Sequence, residues 1–84
     1  MDIEKRVKDI IKIDIEKTGI ILHDVKYIKE DNINYLRIIV DKDGYINLDD
    51  CIEVNKIINP LLDKIDFIEE SYILDVCSKV KEED

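Results

Sequence analysis

The feature that most constrains this sequence is a strict alternation of side chains between positions 35 and 41. Aliphatic residues at every second position, Leu36, Ile38 and Val40, alternate with a mixed set that includes charged residues, Tyr35, Arg37, Ile39 and Asp41. Successive side chains of a β-strand point to opposite faces, so this pattern predicts a strand with one face against a core. The fold must therefore contain a sheet with an apolar face.

Two further stretches predict strands. The first runs from Ile20 to Lys29, and Ile20 and Leu22 break its alternation, which indicates either a strand start covered on both sides or a β-bulge. A polar connection of hairpin length, residues 30–34, leads to the central strand. Ile21, His23, Val25 and Tyr27 are expected to share one face of the first strand. The third strand has Tyr72, Leu74 and Val76 alternating with Ile73, Asp75 and Cys77.

Two amphipathic helices complete the pattern. Asp2 is a good N-cap for the first helix and Gly19 a suitable C-terminal glycine, but Asp14 projects near the centre of its apolar face. That face is expected to consist of Ile3, Val7, Ile10, Ile11 and Ile15. Asn47 is a good N-cap for the second helix, and Pro60 predicts a kink or an early end there. The apolar residues of the second helix are Leu48, Cys51, Ile52, Val54, Ile58, Leu61, Leu62 and Ile65.

The order helix, strand, strand, helix, strand predicts an α+β fold. We expect a two-layer αββαβ domain, with both helices packed on one face of a three-stranded sheet whose first two strands form an antiparallel hairpin. The sequence does not determine which of the first two strands the third strand pairs with. The 84 residues suffice for one core, so we expect a single domain over residues 1–78, followed by a charged tail at 79–84.

The net charge of −8 narrows the range of partners. A domain this acidic lacks the basic stripe that phosphate binding requires, so autonomous nucleic-acid binding is disfavoured and a basic protein surface is favoured. We expect Asp41, Asp49 and Asp50 to face such a partner, because carboxylates in turns and first helical turns should be exposed. No stretch has the length of a membrane span and no signal-peptide core is present, so a cytoplasmic protein is expected.

The sequence contains no evident catalytic set. His23 is the single histidine, and it could act as a base only if the fold brings it to Cys51 or Cys77. The carboxylates that begin at Asp41 do not fit a calcium loop, since the sixth and twelfth positions are Ile46 and Ile52. No cofactor, metal or catalytic residue is expected. A single-stranded RNA-binding sheet that uses Tyr35, Arg37 and Tyr72 is the alternative binding function.

The assembled segments resemble the ribosome maturation factor RimP family, specifically its N-terminal domain. The resemblance covers nearly the whole chain in order. It is carried by Thr18-Gly19, by the stretch Leu22-His23-Asp24-Val25-Lys26-Tyr27, by Tyr35 to Lys42, by Gly44 to Cys51, and by Tyr72 to Ser78.

The resemblance implies a non-catalytic factor that assists maturation of the small (30S) ribosomal subunit. It also implies a second, SH3-like domain that contacts the basic ribosomal protein S12, and these 84 residues do not include that domain. After Ser78 the family continues with a Pro-Gly turn and a basic segment, whereas this chain has Lys79-Val80-Lys81-Glu82-Glu83-Asp84.

Overall fold

The computed structural model describes residues 2–79, and these form two helices and three strands in the predicted order. The elements are α1 (Ile3–Glu16), β1 (Ile21–Glu30), β2 (Ile33–Asp41), α2 (Leu48–Asp63) and β3 (Tyr72–Ser78). The α+β class and the element order are confirmed. The expected tail at 79–84 lies outside the described residues except for Lys79.

The sheet has the order β1-β2-β3, with β2 in the centre. β1 and β2 pair antiparallel, as predicted, and β3 pairs parallel to β2, so the sheet is mixed. The hairpin turn is shorter than expected because only Asp31 and Asn32 lie outside the strands. Their φ angles are +50° and +66°, and two positive φ values are what a two-residue type I′ hairpin requires.

Both helices cover the same face of this sheet and share one core with it. α1 packs beside β1 and α2 beside β3, and the two helices also contact each other. Each helix buries residues at four-residue spacing, which places them on one stripe. Strand and helix contributions together give the buried apolar core: Val7, Ile11, Ile15, Ile20, Leu22, Val25, Leu36, Ile38, Val40, Val54, Ile58 and Leu62.

Local capping explains where the helices begin. The Asp2 carboxylate accepts a hydrogen bond from the Lys5 backbone N–H at 3.1 Å, and this confirms the predicted N-cap of α1. Asn47 and Asp50 form a reciprocal capping box at the start of α2, in which each side chain accepts the other's backbone N–H. Gly19 has φ +91°, three residues beyond the last helical residue of α1, and so reverses the chain into β1.

The structure corrects the prediction that Ile21, His23, Val25 and Tyr27 share one face of β1. The register shifts between Leu22 and Asp24, so His23 has no partner residue on β2. Of the two alternatives predicted for this part of the strand, a bulge is therefore the one observed. Leu22 and Val25 are therefore both buried although they are three residues apart. Ile21 and His23 are exposed, unlike Val25, because the extra residue changes the alternation.

Both helices also differ from expectation. Asp14 lies at the edge of the α1 stripe, with its side chain 42% exposed and 3.9 Å from the Lys17 ammonium, so it occupies no core position. Ile10 is exposed as well. Of the two outcomes predicted at Pro60, a kink or an early end, the early end does not occur, since α2 continues to Asp63. At the other end of α2, Leu48 and Ile52 are exposed instead of packed.

Candidate interaction surface

Within residues 2–79, one face of the sheet carries no helix. We define this helix-free face by Lys26 and Ile28 of β1, Tyr35, Arg37 and Ile39 of β2, and Ile73, Asp75 and Cys77 of β3. The register places them in rows across the strands, with Ile28, Tyr35 and Ile73 in one row and Lys26, Arg37 and Asp75 in the next. The surface thus alternates an apolar row with a charged row, and Ile73 is about half exposed.

The charged row is tied together by an ion pair between neighbouring strands. The Arg37 Nε donates to the Asp75 Oδ2 at 3.0 Å, and this bond raises the pKa of the guanidinium further. An arginine engaged in this way is a poor free phosphate ligand, because its hydrogen-bonding fork is partly occupied. The helix-free face therefore offers little net positive charge.

The three residues of the RNA-binding alternative are not brought together. Tyr35 and Arg37 lie on the helix-free face, whereas Tyr72 packs against the core on the opposite side of the sheet. Burial, and then the charge of Asp63, raise the pKa of the Tyr72 phenol, as expected of a side chain that is partly withdrawn from water. The predicted stacking set is therefore divided between the two faces.

The predicted partner-facing carboxylates have different environments. Asp49 is exposed at the start of α2, as expected, and Asp41 is partly exposed at the end of β2. The side chain of Asp50 is only 15% exposed because it caps α2 and lies 2.7 Å from the Lys42 ammonium. The hydrogen bond from Lys42, with that from the Asn47 N–H, lowers the pKa of Asp50. Asp50 is thus engaged in holding the β2–α2 connection.

His23 and the two cysteines do not form a catalytic pair in the described residues. β2 lies between β1 and β3, so two strand spacings of about 4.8 Å each separate His23 from Cys77. Cys51 belongs to the helical layer, and both thiols are free. Burial raises the pKa of the Cys77 thiol, with a smaller contribution from Asp75, and this opposes thiolate formation.

The outer edge of β1 is occupied by carboxylates. On β1, the outward backbone N–H groups of Val25 and Tyr27 donate to carboxylates, Asp24 Oδ1 and Glu4 Oε2 respectively, each at 2.8 Å. Asp24 is itself held by Lys8 at 3.2 Å and Lys26 at 3.4 Å, and its bond to Val25 N–H lowers its pKa. These carboxylates close the β1 edge to further strands.

The acidic charge is unevenly distributed. Residues 2–30, which form α1 and β1, contain seven acidic and seven basic side chains, so the whole net charge of −8 arises beyond them. Residues 63–78, from the end of α2 through β3, contain five acidic side chains and one lysine. Residues 41–50 contain four acidic side chains and one lysine. Counting charge by segment would have revealed this division from the sequence.

Two shallow clefts lie at the hairpin end of the domain. The larger, of about 310 Å³, is lined by Ile3, Tyr27, Phe67, Glu69 and Glu70, and Arg6 stacks on the Phe67 ring 4.1 Å from its centre. Between residues 2 and 79, no cluster of three or more His, Cys, Asp or Glu side chains is placed to hold a metal ion. Neither of the helices described is long and apolar enough to cross a membrane.

These features define a class: a small two-layer α+β domain with one helix-covered sheet face, one open face and an acidic half. A comparison with protein-family models matches residues 10–79 to the RimP N-terminal domain. Because the match covers most of the chain, the chain belongs to the RimP N-terminal domain family, and this gives it a general role in ribosome maturation.

Proposed function

We propose that this domain is a non-catalytic docking module in the maturation of the 30S ribosomal subunit, and that it contacts a basic ribosomal protein such as S12 on the nascent subunit. The observation that carries the proposal is the concentration of negative charge on one half of a domain that belongs to the RimP N-terminal family. Opposite charge on a partner speeds encounter and orients it. The role requires no cofactor, and the assignment implies a cytoplasmic location.

The domain proposed for this role spans residues 1–78, with 79–84 as an appended charged tail. Lys79 still donates its backbone N–H to the Val40 carbonyl at 2.7 Å, so the first tail residue continues the sheet ladder. In family members a second, SH3-like domain would supply the main contact to S12. The present domain would then add affinity through its own acidic surface.

Binding to assembling small subunits and to purified S12 tests this proposal. The 84-residue chain should bind both at 50 mM salt and lose most of its affinity at 500 mM, because screening is strong at such ionic strength. Salt-independent binding, or failure to bind either target, would contradict docking by surface charge. Tight binding to short single-stranded RNA would favour the RNA-binding alternative.

A pair of charge variants sharpens the test. Neutralising Asp41 and Asp49 together (Asp41→Asn, Asp49→Asn) should weaken binding about three- to tenfold, as expected for two exposed ion pairs. The matched control, Asp9→Asn with Glu16→Gln, removes the same charge from exposed positions of α1. Equal losses in the two variants would show that only net charge matters and that the predicted residues do not face the partner. Asp50 is left intact because it caps α2.

A further inference from the structure

The free edge of β3 can be read from one hydrogen bond. The Lys79 N–H donates to the Val40 carbonyl, and in a parallel pair the residues whose backbone groups face the neighbour alternate along the strand. The odd-numbered residues of β3 therefore face β2. The even-numbered residues direct their N–H and C=O groups away from the sheet, and these are Tyr72, Leu74, Val76 and Ser78.

Among the described residues, no strand lies beyond β3. The contrast with β1 is direct, because there Asp24 and Glu4 occupy the outward N–H groups at 2.8 Å. Leu74 and Val76 pack against the core yet remain partly exposed, and Ile73 is 49% exposed on the helix-free face. An edge of this kind, with paired backbone groups on one side and open groups on the other, is the template for strand addition.

The charge around the outer edge of β3 indicates which kind of segment binds there. The chain that leads into β3 carries the exposed carboxylates of Asp63 and Asp66, and the charge of Asp63 acts on Tyr72 at the start of the strand. Glu69 and Glu70 lie on the β1 side, in a cleft with Ile3 and Tyr27. The far end of β3 lies beside the start of the acidic segment 41–50, because Ser78 pairs with Val40. Acidic residues thus flank the edge at both ends, which attracts a basic segment and repels a second copy of a chain with net charge −8.

We propose that the outer edge of β3 binds an extended basic peptide segment of a partner as a fourth strand. Alternation along that strand would place basic side chains beside Asp75 on the helix-free face and apolar side chains beside Leu74 and Val76. The partner's sequence would therefore alternate lysine or arginine with valine, isoleucine or leucine. This inference rests on the proposed function only in identifying the partner as a ribosomal protein.

The probe is a seven-residue peptide of alternating lysine and valine, matched to the seven residues of β3. Added to the 15N-labelled chain, it should shift the amide signals of Leu74 and Val76 and slow their hydrogen exchange at least tenfold. The amides of Val25 and Tyr27 should not change. Changes in the amide signals of β1, or no change in any amide signal, would overturn the proposal.

Two peptide controls separate strand addition from charge attraction. N-methylation of the residues that pair with β3 should abolish binding, whereas methylation of the alternate residues should preserve it. A glutamate–valine peptide should not bind. Equal binding by both methylated peptides, or by the glutamate peptide, would contradict the proposal, as would β3 signals that shift with chain concentration alone and so report a second copy.

The flanking charges are tested in the chain itself. The double variant Asp63→Asn, Asp66→Asn should bind the lysine–valine peptide about three- to tenfold more weakly than Asp9→Asn, Glu16→Gln, which removes equal charge from α1. Equal affinity of the two variants for the peptide would contradict the role assigned to the carboxylates that precede β3. If small subunits bind while the peptide leaves β3 unperturbed, the edge inference fails and the proposed function stands. If the peptide binds β3 while small subunits do not bind the chain, the edge inference stands and the proposed function fails.

Discussion

The Glu4 carboxylate accepts a hydrogen bond from the backbone N–H of Tyr27 at 2.8 Å, across 23 positions of sequence. The side chain of a helix residue thereby takes the place of a neighbouring strand on β1. The bond joins α1 to the sheet and also closes one of its two edges. Its removal should affect both stability and the tendency to self-associate.

Glu4→Ala should lower the free energy of unfolding by about 1–2 kcal/mol, because a charge-assisted bond to a partly buried N–H is lost. Urea denaturation measures the change. Glu16→Ala, at an exposed position of the same helix, should change stability by less than about 0.5 kcal/mol. Similar values for the two variants would show that the Tyr27 bond contributes nothing.

Asn34 joins the start of β2 to the chain before β3. It is 9% exposed, and its Nδ2 donates to the Ser71 carbonyl at 3.2 Å and to Glu70 Oε2 at 3.3 Å. Asn34→Ala should destabilise the domain by about 1–2 kcal/mol, since two acceptors lose their donor. Thermal unfolding measures the loss. Asn55→Ala is the matched control within α2, where alanine favours the helix and should produce no comparable loss.

Acid should weaken the β2–α2 connection through Asp50. Its pKa is lowered in the folded chain below the usual 3.8, chiefly by the hydrogen bond to Lys42. A lowered folded pKa stabilises the fold above the unfolded value, and this stabilisation is lost as pH falls below about 3.8 through the folded pKa. Asp50→Asn should therefore reduce the decline of stability between about pH 5 and pH 2. Urea midpoints across this range measure it, and a profile as steep as that of Asp49→Asn would contradict the assignment.

Cys77 should react slowly with alkylating reagents. Burial raises the pKa of its thiol above the usual 9.0, so less than about 1% is thiolate at pH 7. In a Cys51→Ser variant, iodoacetamide should modify Cys77 more slowly than a cysteine in an unfolded peptide. A faster reaction would reveal an activated thiol and revive the enzyme hypothesis that the separation from His23 opposes.

The elements of the fold could be predicted because each is encoded locally. The alternation of Leu36, Ile38 and Val40 specifies β2, and the side chains of Asp2 and Asn47 specify where the helices begin. The prediction that Ile21 and His23 share a face with Val25 and Tyr27 was wrong. A bulge adds one residue, and every residue on one side of it then changes face relative to those on the other.

The surface was less predictable than the fold, because its key relationships join distant positions. The alternation within each strand places Tyr72 with Leu74 and Val76 and sets Tyr35 opposite Leu36, so their separation was predictable, whereas the parallel pairing of β3 with β2 depends on the crossover through α2. Asp50 is less exposed than expected for a local reason: the same carboxylate both caps α2 and pairs with Lys42.

The placement of β3 has a kinetic consequence. Its ladder with β2 joins residues 38 positions apart, whereas β1 and β2 meet through a two-residue turn. Closing the longer loop is slower, so we expect β3 to join the sheet late in folding and to detach early during opening. A ligand strand laid along it would act as a clamp on the most loosely tethered part of the domain, so that occupancy and resistance to local unfolding would rise together.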